Sequence, residues 1–284
     1  MTLNTSKGFN APVLKHSRSL SRRRLLALLG SLTSAAAFPA QLMAANNNKT
    51  SRLGLLIPPA NGTLPGEAAS MYSGNVEYLI ESLGLESMTP DGYDAVLDRI
   101  APKAELLAQR GAQGILLMGT SLSFYKGQAF NEQLTQSLIN ATGLPSMTMS
   151  TAVIEGLRAV GGNRLVAATA YNDEVNKRLQ DFLTEHGFDV SVVKGLDIEA
   201  IGDLNSVTPE QLITFCSDVA GMAAEADAML VSCGGLPTLE ILAPVEARTG
   251  IPAVSSTPHA LWAGARLLGV DTRISGHGQL LSIQ

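Results

Sequence analysis

GAQGILLMGTS, residues 111–121, and EADAMLVSCGG, residues 225–235, share one plan: a short apolar run closed by a turn of small residues. Apolar runs of this length, without polar alternation, read as strands buried on both faces, the pattern of a parallel sheet. Two further pairs recur around them in the same order. RLGLLIPP (52–59) parallels RLVAATAY (164–171), and TGLPSMTMST (142–151) parallels TGIPAVSSTP (249–258). The first and second segments are offset by 67 residues in one half and 69 in the other. Longer stretches of helical period lie between them, such as YDAVLDRIAPKAELLAQRG (93–111) and NDEVNKRLQDFLTEHG (172–187), the latter stopped by Gly187 as a C-cap.

Strand–helix alternation implies parallel sheets with right-handed crossovers. The expected fold is therefore α/β: two similar Rossmann-like domains with parallel sheets, related by a pseudo-two-fold axis. Residues 52–149 with 257–284 are assigned to the first domain and 150–256 to the second. Open parallel sheets bind ligands beyond the C-terminal ends of their strands, so the active site is expected in the interdomain cleft. The repeat aligns Gly119 with Cys233, Thr120 with Gly234, and Pro59 with Tyr171. Cys233 would then face the Gly119-Thr120-Ser121 turn, and Gly234 and Gly235 would leave backbone N–H groups open to a ligand.

The N-terminus differs from the rest. Basic residues, an apolar run from Leu25 to Phe38 and small residues at Ala44 and Ala45 have the layout of an export signal, assigned to residues 1–44. SRRRLL (21–26) resembles a twin-arginine signal, with an ordinary secretory signal as the alternative. Residues 45–51 read as a flexible joint, and the mature chain is expected in the periplasm or secreted, with no stable membrane insertion. The 284 residues carry a formal net charge of −5 and show no basic patch, which argues against nucleic acid as a partner. An oxidising compartment would permit the two cysteines to pair. However, Cys216 falls on the apolar face of a helix that starts at the Thr208/Gln211 capping box, which assigns it to the core and leaves Cys233 free.

The chemical inventory is short. His16, His186, His259 and His277 are scattered, so no metal site with ligand spacing is read, and no nucleotide-binding glycine motif is present. What remains is a thiol, a Thr-Ser pair, a tyrosine and backbone amides. Together they suit a carboxylate, held by donors that need no charge. A strand-to-helix turn rich in backbone amides would lower the Cys233 pKa.

The stretches LLIPPANG, GLESMTPDGYDAV, LMGTSLSFYKGQAFN, ATGLPSMTMSTAV, ATAYNDEVNKRL, SCGGLPTLE and GIPAVSS resemble the aspartate/glutamate racemase superfamily and, within it, the arylmalonate decarboxylases. The resemblance covers nearly all of the chain after the export signal. It implies cofactor-free loss of CO₂ from α-aryl or alkenyl malonates, with Cys233 protonating one face of an enediolate. Racemases of this superfamily carry a second cysteine where this chain has Gly119, which argues against inversion of a stereocentre. The resemblance makes Thr120, Ser121, Tyr171 and Gly234 the carboxylate grip. Pro58 and Pro59 would shape that end of the pocket, and Leu85, Met88, Tyr93, Leu122, Ile201 and Leu204 would line the rest. Pro237 and His259 depart from the family pattern; His259 is either a catalytic group or an exposed residue at a helix start. The partner implied is a small-molecule dicarboxylate, acted on by a monomer or small homo-oligomer. The rival readings are a maleate-isomerase-like or racemase-like enzyme and a secreted aromatic-carboxylate binding protein.

Overall fold

The computed structural model describes residues 50–283. The export signal read in residues 1–44 lies outside the described residues, as does most of the joint, whose last residue, Ser51, already opens the first strand. Strands β1 (Ser51–Pro59), β2 (Val76–Leu85), β3 (Gly114–Leu117) and β4 (Ser146–Thr148) form one sheet in the order β2-β1-β3-β4. Strands β5 (Arg164–Thr169), β6 (Asp189–Gly195), β7 (Ala228–Ser232) and β8 (Ala253–Ser255) form a second in the order β6-β5-β7-β8. All pairings are parallel. The three segment pairs of the repeat become β1/β5, β3/β7 and β4/β8. The edge strands β2 and β6 complete each sheet; their half-exposed, mixed sequences carry no continuous apolar run.

Helices in the first half are α1 (Gly66–Met71), α2 (Pro90–Asp94), α3 (Leu97–Gln109), α4 (Thr120–Phe124) and α5 (Gln128–Thr142). Then follow α6 (Met149–Ala159), α7 (Asp173–Glu185), α8 (Pro209–Gly221), α9 (Leu242–Thr249), α10 (Ser256–Leu267) and α11 (Gln279–Ser282). The signals at Gly187 and Thr208/Gln211 act as read: Gly187 follows α7 with φ +86°, and the capping box opens α8; the structure adds Asn172, which caps α7 by accepting from the Val175 N–H. Cys216 is fully buried on α8, and both cysteines are free.

The central strands β3 and β7 are buried along their whole length, because a sheet covered by helices on both faces leaves no polar side for them to show. Two helices knit the halves together. α10 lies against the first sheet, where a Cβ on Gly264 would meet Leu53 Cδ2 at 2.6 Å. α6 lies against the second, with Gly156 beside Val254, and the two helices pack on each other.

His259 differs from both roles read for it. It is buried in α10 at 1% exposure, outside the residues that line the cleft cavity, and its Nδ1 accepts the Ser255 N–H at 2.6 Å. Burial pulls the imidazole down to about 4, so it stays neutral in the fold. Between the unfolded value of 6.5 and about 4 the unfolded chain binds a proton that the folded one refuses. Stability should therefore fall as pH drops through that window, by about 3 kcal/mol over its full width. Urea unfolding at several pH values should show a steeper acid loss for wild type than for His259→Asn; equal slopes would contradict this assignment.

Candidate active site

β7 ends level with β5, β1 runs three residues past the end of β3, and the turns that follow β3 and β7 open into one cavity of about 620 Å³. All the expected site residues except Tyr93 and Tyr171 line it: Gly119, Thr120 and Ser121 on one turn, Cys233, Gly234 and Gly235 on the other, with Pro58, Pro59, Leu85, Met88, Leu122, Ile201 and Leu204 around them. Pro237 also lines it. Among the described residues of the lining none is Lys, Arg or His. An anion entering here must be held by neutral dipoles.

The two tyrosines lie off the cavity surface, buried beside it. Tyr171 packs edge-on to Phe124, and its hydroxyl shares a 3.2 Å hydrogen bond with Ser232 Oγ, near Thr120 and Cys233. Tyr93 is fully buried beside Ser121 and Cys233, and its hydroxyl has no hydrogen-bond partner. Both were expected as contact residues; packing against the core sets them back from the surface.

Residues beyond those read from sequence fasten the turns. Ser150 Oγ donates to the Thr120 carbonyl at 2.9 Å, and Thr257 Oγ1 donates to the Gly234 carbonyl at 2.8 Å. The repeat aligns Ser150 with Thr257 and Thr120 with Gly234, so the two bonds are pseudo-equivalent. Thr120 Oγ1 also pairs with Ser256 Oγ at 2.7 Å, linking the first turn to the start of α10. The signal for these hydroxyls was present in the repeated Thr-Gly-x-Pro segments, which also mark the strands β4 and β8. Their reach across the fold could not be read from spacing.

Cys233 is 4% exposed, and burial pushes its thiol up to about 11. The N–H groups of Gly235 and Leu236 act in the opposite sense and do not overcome it. This corrects the expectation of a lowered pKa. The turn after β7 leads through Pro237 into a single 3₁₀ turn (Leu239–Ile241), and α9 begins only at Leu242, so no regular helix N-terminus follows directly on the sulfur. The nearest acceptor is the Met88 sulfur, 3.8 Å away. At neutral pH Cys233 is an uncharged acid.

A family model described as arylmalonate decarboxylase matches residues 53–281. The chain belongs to the arylmalonate decarboxylase family. It is 43% identical over 232 residues to the arylmalonate decarboxylase of Bordetella bronchiseptica, covering 81% of this chain and 96% of that one. A glycine-to-cysteine, cysteine-to-serine double mutant of arylmalonate decarboxylase, solved in liganded form, superposes with a TM-score of 0.79 at 42% identity, over 81% of this chain and 98% of the other. The fold is shared more widely. A Nocardia farcinica maleate cis-trans isomerase variant with a covalently bound succinylcysteine intermediate gives a TM-score of 0.76 at 19% identity, over 82% of this chain and 99% of that one.

The first turn is tightly built. Gly119 has φ +96°, and a Cβ there would meet the Pro58 ring at 2.6 Å, so the space opposite Cys233 is taken by proline. Gly119→Ala should cost about 1–3 kcal/mol in urea unfolding through backbone strain alone, and shift Thr120 and Ser121 enough to lower activity. An unfolding free energy equal to wild type would contradict the geometry.

Proposed function

We propose that this chain decarboxylates α-aryl or alkenyl malonates without a cofactor, giving a chiral 2-aryl carboxylic acid. The observation that carries the reading is a single buried, protonated thiol across one cavity from a thiol-free turn rich in hydroxyls. Family membership supports it. One carboxylate of the malonate is held by Thr120, Ser121 and the N–H groups of the Cys233–Gly235 turn, with Tyr171 behind Thr120. The other lies against Leu85, Met88, Leu122, Ile201 and Leu204, where a charge is poorly solvated. Breaking the bond to that carboxylate releases CO₂ and leaves its electron pair as an enediolate, which the same donors stabilise. Cys233 gives its proton to one face of the α-carbon, and the resulting thiolate regains a proton from solvent. With glycine at 119 the first turn offers no second thiol to reverse the stereochemistry.

On the pattern of residues 1–44 alone, we also propose that the enzyme acts in the periplasm or outside the cell. Finding the chain in the cytoplasmic fraction with residues 1–44 intact would contradict this.

The test is CO₂ release from phenylmalonate by purified protein with chelator and no added cofactor. Cys233→Ala should lose about 10²–10⁴-fold in kcat, the scale of a general acid, while still binding the dicarboxylate. Turnover near wild type in that variant would overturn the mechanism.

The acid role also fixes a pH dependence. The active form is the protonated thiol, so its contribution is full below its pKa and is lost as pH rises through about 11. In wild type kcat should stay level from neutral pH to about 10 as far as Cys233 is concerned. A kcat that climbs tenfold per pH unit over that range would point to a thiolate nucleophile instead.

A further inference from the structure

We infer that Glu67 is a positioning residue for the protonating turn, holding it from the opposite side of the cleft. The inference rests on the decarboxylase reading for its catalytic consequence. Glu67 lies on α1, after β1, in the half of the chain that forms the first sheet. Its Oε1 accepts the Thr238 N–H at 2.8 Å and the Leu239 N–H at 3.0 Å, and Thr238 Oγ1 is 3.4 Å away. Both residues follow Cys233 closely in sequence and belong to the second half.

The turn needs an external acceptor. Its early part is already tied: Leu236 N–H bonds to the Cys233 carbonyl at 3.2 Å, and Thr257, at the start of α10, donates to the Gly234 carbonyl. Pro237 then interrupts the run of N–H donors. The next two donors, on Thr238 and Leu239, are buried, and an unmet buried N–H is costly. Glu67 meets both with one oxygen. Apart from the Met88 sulfur, it is the one side chain of residues 50–148 that hydrogen-bonds the 233–239 segment among the described residues. The carboxylate therefore fixes the distance between the turn that protonates and the half that carries Thr120 and Ser121. Burial raises the Glu67 pKa and the bonds from Thr238 and Leu239 oppose that rise, which fits a group retained for its bonds.

With no cation in the cavity lining among the described residues, the position of each neutral donor decides how well the enediolate is held. Displacement of a reacting group by about 1 Å costs on the order of 10²-fold in rate. Glu67→Ala should lower kcat for phenylmalonate by about that factor with KM changed less than about threefold. Glu67→Gln, whose amide oxygen can accept the same N–H groups, should recover most of kcat. Hydrogen exchange followed by mass spectrometry reads the clamp without reference to activity. The Thr238 and Leu239 amides should exchange slowly in wild type and Glu67→Gln, and fast in Glu67→Ala. Fast exchange there in wild type overturns the inference even if Glu67→Ala fails to fold. So does Glu67→Ala with wild-type kcat, or Glu67→Gln as impaired as Glu67→Ala. If wild type does not turn over phenylmalonate, the decarboxylase reading falls, and the exchange pattern alone decides whether Glu67 clamps the turn.

Discussion

Burial of one uncharged thiol is the constraint on which the rest of the site depends. Cys233 ends a strand covered on both faces, and the surrounding apolar wall holds its proton in place up to about 11. Water and basic residues beside it would favour the thiolate and convert the acid into a nucleophile. The cavity lining accordingly carries no Lys, Arg or His among the described residues. Without cations, charge must be met by oriented hydroxyls and N–H groups, which work only where they are rigidly placed. The fasteners follow from that need. Ser150, Ser256 and Thr257 hold the turns from helices α6 and α10, and Glu67 ties the second turn to the opposite half.

The duplicated fold gives two similar turns different work. Each comes at the end of a fully buried central strand and is held by a hydroxyl one residue into a following helix. The first turn keeps Thr120 and Ser121 and has glycine where the second has cysteine. Pro58 fills the space that a side chain at 119 would need. A symmetric pair of acids would act on both faces of a bound carbon; in the proposed mechanism this pair grips on one side and protonates on the other.

Much of this was legible in the sequence, for physical reasons that differ by element. GILL and AMLVS declare buried parallel strands because their burial is two-sided, and the repeat of three segments marks both sheets. VEYLIESLGL and DVSVVKG stay silent because edge strands are half wet and their pattern is mixed. Strand-end residues such as Gly119 and Cys233 could be placed because parallel sheets put their ligands there. The direction of the Cys233 pKa could not, since it depends on how much protein covers the sulfur and on the missing helix after β7. That Tyr93 and Tyr171 lie buried beside the cavity lining could not be read for a similar reason: depth is a tertiary quantity. Glu67 is 171 residues from Thr238, and nothing in the spacing brings them together.

The most direct measurement of the central claim is the stereochemistry of proton delivery. Decarboxylation of a 2-methyl-2-phenylmalonate in D₂O, followed by NMR and chiral chromatography, should give product with one deuterium at the α-carbon and a single configuration. Deuterated product of both configurations in equal amounts would mean that water, reaching either face, protonates the enediolate, and that the buried thiol is not its acid.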